Sequence, residues 1–281
     1  MTNILSIDLE SWIYFDADAS GKSLAGVPSE ERRSLDGGYF PRATREVLDL
    51  LDGAGQKATF FVVGESYDWY PEAIDEIRDR GHEVGYHTHT HRRVASAGVL
   101  AEELEASRTF LERFQPIGFR APRIDLPRNA LPQLRDWGFR YSSSSYEQHQ
   151  IEVVGGVHEI PVSTLAYRQQ DRPREFPKTL TPGLLTSMLP FGSGLFVGLL
   201  GRGTSWFIRH QEALGHPAVI FLHPWQIIQP QRFRSKRFKL RLLATNPTFF
   251  PYALAARETL RRLLRAHEFT TFRDHFGEQL T

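Results

Sequence analysis

A chain of 281 residues, 41% hydrophobic and 24% charged, is expected to fold as a globular protein with a large buried core, and residues 1–281 read as one domain. The net charge of +1 gives no whole-chain reason to expect a nucleic-acid partner, and the absence of cysteine excludes disulfides and thiolate metal sites, leaving His, Asp and Glu to bind any metal. No apolar run of about 18 residues and no signal-peptide pattern over residues 1–8 is present, so a cytoplasmic chain without a transmembrane span is expected.

The first strand is expected over residues 4–9, apolar and ending in acidic residues. Residues 16–40, rich in Gly, Ser, Asp and Arg, read as a loop. The spacing of Val47, Leu48 and Leu51 predicts a helix over 43–51, stopped by Gly53 and Gly55. A strand follows over 57–63, then a proline-started helix over 71–80 ending at Gly81, then a short strand over 82–86. A polar amphipathic helix is predicted over 98–113, a strand over 118–120, a helix over 130–137 and a strand over 139–142. Farther on, residues 219–222 form a buried strand, and a helix over 253–266 precedes a last strand over 269–272. Strands alternating with helices predict parallel β/α units whose strand C-termini gather on one face. Asp8, His87, Arg120 and His223 each stand at such a strand end.

His87 and His91 are four residues apart, so one helical turn would place both on the same side, within reach of one ion. Read alone, the same stretch is also an ordinary histidine-bearing loop. Asp8 and Glu10 flank Leu9 at the end of the first strand and project from one face. Two carboxylates so placed repel unless a cation lies beside them. A His, His, carboxylate set with open positions suits zinc and related divalent ions, and the second carboxylate is then free to act as a base. His223 is delivered by a buried strand that Pro224 stops, and Trp225 beside it is either a flat wall for a sugar ring or core.

Together these segments resemble the polysaccharide deacetylase family, also known as the NodB-homology family or carbohydrate esterase family 4, from Ser6 to about Phe272. The most specific piece is the run Gly81-His82-Glu83-Val84-Gly85-Tyr86-His87-Thr88-His89-Thr90-His91, which looks like the family's metal-binding motif. Ala58-Thr59-Phe60-Phe61-Val62-Val63-Gly64 is similar to its second strand, Gly118-Phe119-Arg120-Ala121-Pro122 to its Arg-x-Pro motif, and Phe221-Leu222-His223-Pro224-Trp225 to its final motif. The acid pair resembles the Asp-x-Glu branch. The resemblance implies a deformed barrel of about seven β/α units, an α/β fold.

It also implies a metal-dependent hydrolase that removes an N-acetyl group from an amino sugar or glycan precursor. Asp8 is then the base, Glu10, His87 and His91 hold a divalent metal (zinc is the expected ion), Arg120 pairs with the base, and His223 is the catalytic acid. Pro122, Arg123 and Trp225 are the expected substrate contacts, with Arg123 either meeting an anionic group or pointing to solvent. Alternatives on the same scaffold are a deformylase or other amide hydrolase, and an inactive carbohydrate-binding protein. The expected partner is an acylated amino sugar, free, nucleotide-linked or lipid-linked. Two departures stand out. Many members carry an aspartate after the arginine motif to support the histidine, where this chain has Ser142-Ser143-Ser144-Ser145; Asp125 is the candidate for that role here. Arg123 follows Pro122 where glycine or an aromatic residue is usual. The basic run 232–239 reads as a solvated loop or as a patch for anionic lipid or phosphate, giving peripheral membrane contact. The glycine-rich apolar segment 189–201 reads as a loop and helix packed beside the barrel, an edge of the cleft, or a surface for a lipid carrier.

Overall fold

Thr2–Leu9 (β1) is buried along nearly its whole length, the environment of a central strand in a parallel sheet covered on both faces. The structure, a computed structural model, describes residues 1–168 and 174–280. Around β1 lie Thr59–Val62 (β2), Glu83–Tyr86 (β3), Gly118–Phe119 (β4), Tyr141–Ser142 (β5), Glu152–Val154 (β6), Val157–Glu159 (β7), Val219–Leu222 (β8) and Glu268–Thr270 (β9). The strand order is β8-β1-β2-β3-β4-β5-β7-β6, and β9 also pairs with β1. From β8 to β7 every pairing is parallel, while β6 closes an antiparallel hairpin on β7. The result is a curled, deformed (β/α) barrel.

Register decides where the chemistry sits. Leu9 pairs with Val62, Val62 with Tyr86, Tyr86 with Phe119 and Phe119 with Ser142. His87, Arg120 and Ser143 are each one residue past this aligned row, so all leave the sheet at one rim. Gly192 bridges the remaining gap between the end of the β7 segment and β8. Its N–H donates to the Ser163 carbonyl at 3.1 Å, and its carbonyl accepts from Phe221 N–H at 2.9 Å. A Cβ there would fall 2.3 Å from the Val219 carbonyl oxygen, so only glycine lets the two backbones approach this closely.

Several elements differ from expectation. Residues 16–40 are not a loop but mostly helical, covered by Trp12–Ala19, Ser29–Asp36 and the start of Tyr39–Asp52. The polar composition hid a tie: Ser11 caps the first helix, and its hydroxyl donates to Asp36 Oδ1 at 2.6 Å. The predicted helix 98–113 divides into Ala97–Ala106 and Arg108–Phe114 at Ser107. The basic run is helical, split between Gln231–Arg234 and Lys236–Thr245, because Phe233, Phe238 and Leu242 bury against the body. The helix expected over 253–266 is a 3-10 turn, Phe250–Ala253, followed by Arg257–Ala266. The glycine-rich segment contains the helix Gly194–Leu200. Among the described residues no helix is long and apolar enough to cross a membrane.

Candidate metal centre and cleft

His87 leaves β3 and is followed by a loop, not the expected helical turn. Thr88 and His91 have φ of 59° and 56°, and this left-handed kinking folds the chain back so that both imidazoles converge. The loop is held from outside by Glu103, buried on the helix Ala97–Ala106. Glu103 Oε2 accepts from the backbone N–H groups of His89 and Thr90, each at 2.8 Å, and its Oε1 accepts from the Thr90 hydroxyl at 3.0 Å. His89 points away from the centre, with Nδ1 3.0 Å from Ser107 Oγ.

Glu10, His87 and His91 offer three ligand atoms that lie within 4.8 Å of one another. The donors are in the right chemical state. His87 Nδ1 donates to the Arg120 carbonyl at 2.7 Å, which leaves Nε2 with a free lone pair. Burial drives the ring pKa of His87 down to about 3 and that of His91 down to about 4, so both are neutral at neutral pH. His91 Nε2 stands 2.7 Å from Glu10 Oε2, yet that oxygen makes no properly directed hydrogen bond. Burial, with the neighbouring charge of Asp8 adding to it, pushes the Glu10 carboxyl well above its ordinary value. A buried carboxylate oxygen without a hydrogen bond, beside two neutral imidazoles, fits a divalent cation of the zinc type.

Asp8 is held differently. Arg120 Nη1 donates to Asp8 Oδ1 at 2.8 Å and to Ser6 Oγ at 2.7 Å. Arg120 Nε and Nη2 donate to the carbonyl and hydroxyl of Ser143, each at 2.8 Å. Its guanidinium also lies 4.4 Å from the Phe61 ring centre and 5.0 Å from that of Phe221. Burial opposes ionisation of Asp8, but the charge of Arg120, foremost among the lowering influences, and its hydrogen bond outweigh it and hold the carboxyl below its ordinary value.

His223 faces both acids across the rim, its Nε2 4.0 Å from Asp8 Oδ2 and 3.5 Å from Glu10 Oε1. Asp125 does not orient it, contrary to expectation; Asp125 pairs with Arg93 at the cleft edge. The partner is Gln226, whose Oε1 accepts from His223 Nδ1 at 3.0 Å while Nε2 donates to the Gly194 carbonyl at 2.7 Å. The serine tract that replaces the expected aspartate serves Arg120 instead, and Glu159 anchors the tract through Ser144 N–H at 2.6 Å.

These groups floor a cleft of about 640 Å³. Arg123 stands at its edge, ion-paired with Asp18 through Nε at 3.1 Å. Trp225 is buried behind His223, stacked on it at 4.4 Å, so it reaches the cleft only in part. Pro122 is buried and does not line the cleft. Tyr252, not singled out from the sequence, does line it, with its ring edge-on to His223 at 5.5 Å. Burial and the charges of Asp8 and Glu10 raise its pKa, so the phenol remains a donor. Gln226 had a usable signal in the sequence: a glutamine at the third helical position after a proline start is where a capping box forms. Glu103 and Tyr252 had none, because the contacts of each are made to a separate element of the fold.

Residues 34–142 match the family model described as polysaccharide deacetylase. A chitin deacetylase from Pestalotiopsis sp is 30% identical over 142 residues, 46% of this chain and 47% of that protein. A peptidoglycan-N-acetylglucosamine deacetylase from Bacillus cereus is 31% identical over 103 residues, 34% of this chain and 48% of that protein. The matches thus span about half the length of these curated relatives. A crystal structure from Mycobacterium smegmatis, provisionally named a polysaccharide deacetylase, covers 99% of this chain and 90% of its own at 18% identity with a TM-score of 0.57, a likeness of fold.

Proposed function

We propose that the chain is a member of the polysaccharide deacetylase family, whose model matches residues 34–142, and that it removes the N-acetyl group of an amino sugar within a glycan or glycan precursor. The observation that carries this reading is the convergence, on one cleft, of the Glu10, His87 and His91 donor set, the Arg120-paired Asp8, and His223 opposite. The relatives named as deacetylases of chitin and of peptidoglycan act on N-acetylated amino sugars, which supports the substrate class.

In this reading Glu10, His87 and His91 hold a divalent cation, zinc by the character of the donors, which when bound polarises the acetyl carbonyl and acidifies water. Asp8, ionised at neutral pH, takes a proton from the water that adds to the acetyl carbon. Arg120 is a positioning residue: its two contacts to Asp8 and Ser6 fix the carboxylate, leaving Oδ2 toward the cleft. His223 donates a proton from Nε2 to the amide nitrogen as the C–N bond breaks, so acetate and a free amine leave. Gln226 holds the Nδ1 proton in place, which leaves Nε2 as the atom that exchanges its proton with substrate. Tyr252 is placed to donate to substrate oxygen above the site.

The test is acetate release from N-acetylated sugars presented free, nucleotide-linked and lipid-linked, with metal content measured alongside. Release that disappears on chelation and returns with added zinc is expected. A metal-loaded protein that frees no acetate from any of them overturns the reading, and release of formate from the corresponding N-formylated sugars in its place shows a deformylase.

A further inference from the structure

We infer that the surface beside the cleft mouth is a docking face for an anionic lipid bilayer. No Asp or Glu occurs between Glu212 and Glu258, while Arg232, Arg234, Lys236, Arg237, Lys239 and Arg241 all lie there. A chain with a net charge of +1 therefore concentrates cations on two successive helices, Gln231–Arg234 and Lys236–Thr245. Arg232 is paired with Asp16, but among the described residues Arg237, Lys239 and Arg241 have no ion pair.

The helix Lys236–Thr245 carries two chemistries on its outer side. Phe238 and Leu242 are buried, anchoring it to the body. Leu240 and Leu243, three apart and so adjacent on the surface, are 68% and 47% exposed, with Arg237 and Arg241 exposed beside them. Leucines left in water among unpaired cations are the pattern of a helix lying in a headgroup layer: the apolar side chains enter the acyl boundary and the cations meet lipid phosphates. A soluble polyanion would use the cations and have no use for the leucines.

Position links the face to the site. The helix packs on the turn Phe250–Ala253, and Pro251 and Tyr252 of that turn line the cleft. The helix Gly194–Leu200 packs on the same turn and leaves Leu199 55% exposed. Exposed leucines thus occur on two of the helices that border this turn, and seating them places the cleft mouth beside the bilayer. The inference goes beyond the deacetylase reading, and its test is read without turnover.

The experiment is co-sedimentation of the full chain with phosphatidylcholine vesicles, with and without phosphatidylglycerol. Binding to the anionic vesicles that weakens with salt is expected. Leu240→Ser with Leu243→Ser should lower partitioning by about tenfold or more. Arg237→Gln with Arg241→Gln should lower it by about fivefold for each cation. Both double variants should keep the circular dichroism and melting temperature of the parent, since none of the four side chains is buried. No preference for anionic vesicles overturns the proposal. So does binding that survives loss of the leucines, or equal retention on a soluble sulfated polymer. Vesicle binding without acetate release would sink the catalytic reading and leave this one standing.

Discussion

Gln226 fixes His223 by accepting a hydrogen bond from its Nδ1 at 3.0 Å, and the direction of that bond is not arbitrary. The Gly194 carbonyl, 2.7 Å away on the other side, can only accept, so the glutamine amide nitrogen must face it and the amide oxygen must face the histidine. A neutral amide, and not a carboxylate, does the orienting. Replacing Gln226 with leucine should leave the metal content intact and lower kcat by roughly 10- to 100-fold with little change in KM, because orientation of the acid matters at the transition state. Steady-state kinetics on acetate release, beside metal analysis, check this; an unchanged kcat would remove Gln226 from the mechanism.

Asp8 and Arg120 make a buried ion pair whose two halves should fail differently. Asp8→Asn keeps an oxygen for Arg120 to donate to, so the protein should fold and retain metal while turnover drops by about 10²- to 10⁴-fold. Arg120→Leu leaves the Asp8 carboxylate buried and unpaired, and should cost about 3–5 kcal/mol in urea unfolding. Turnover retained by the Asp8→Asn protein would assign the base elsewhere.

The barrel and the main site residues were legible because they depend on local patterns. A strand end, a glycine stop or a motif residue is visible in a short window, so Asp8, Glu10, His87, Arg120 and His223 could be placed at one rim from the sequence. The route by which His91 arrives could not be read. Spacing of four suggested a helical turn, whereas the backbone makes two left-handed kinks held by Glu103, which lies 12 residues after His91. The helices within 16–40 were missed because a polar composition resembles a loop until the Ser11–Asp36 tie is known. The role of the serine tract was unreadable for the same reason: its partners, Arg120 and Glu159, come from other strands.

Glu103 is therefore a test of how far the donor geometry depends on its surroundings. It touches no ligand atom, yet it supplies the acceptor for two backbone N–H groups between His87 and His91. Glu103→Ala should release the loop and weaken metal affinity by roughly 10- to 100-fold, measured by competition with a fluorescent chelator. Affinity equal to the parent's would show that the loop holds its shape without Glu103.

Metal uptake should also release a proton, and its source can be named. His87 and His91, with ring pKa values of about 3 and 4, are already neutral near pH 7 and contribute none. Glu10 is raised well above its ordinary value by burial, so the cation must displace its proton over a range where free carboxylates are already ionised. Calorimetric titration of zinc in buffers of different ionisation enthalpy, run in mildly acidic solution, should report close to one proton released (about one). Glu10→Gln should abolish that release as well as weakening binding. The same release from the Glu10→Gln protein would place the proton on another group.

His82 gives a pH dependence of folding that is separable from the site. Its ring is buried at the foot of β3, where Nδ1 accepts from Ala58 N–H at 3.2 Å, an arrangement that requires the neutral form. Burial, and then the nearby Lys57 charge, lower its pKa from 6.5 to about 4. Above about pH 6.5 the residue is neutral in both folded and unfolded chains and has no effect on the pH slope. As pH falls from 6.5 toward 4, the unfolded chain takes up the proton first, so stability is lost through that window and the loss levels off below it. The shift sets an upper bound of about 3 kcal/mol on this loss. His82→Gln keeps an acceptor for Ala58 and does not titrate. The difference between the unfolding free energies of parent and variant should therefore change between pH 6.5 and 4, while contributions from His87 and His91 cancel. Parallel pH profiles for the two proteins would mean that His82 is protonated as readily in the fold as in the unfolded chain.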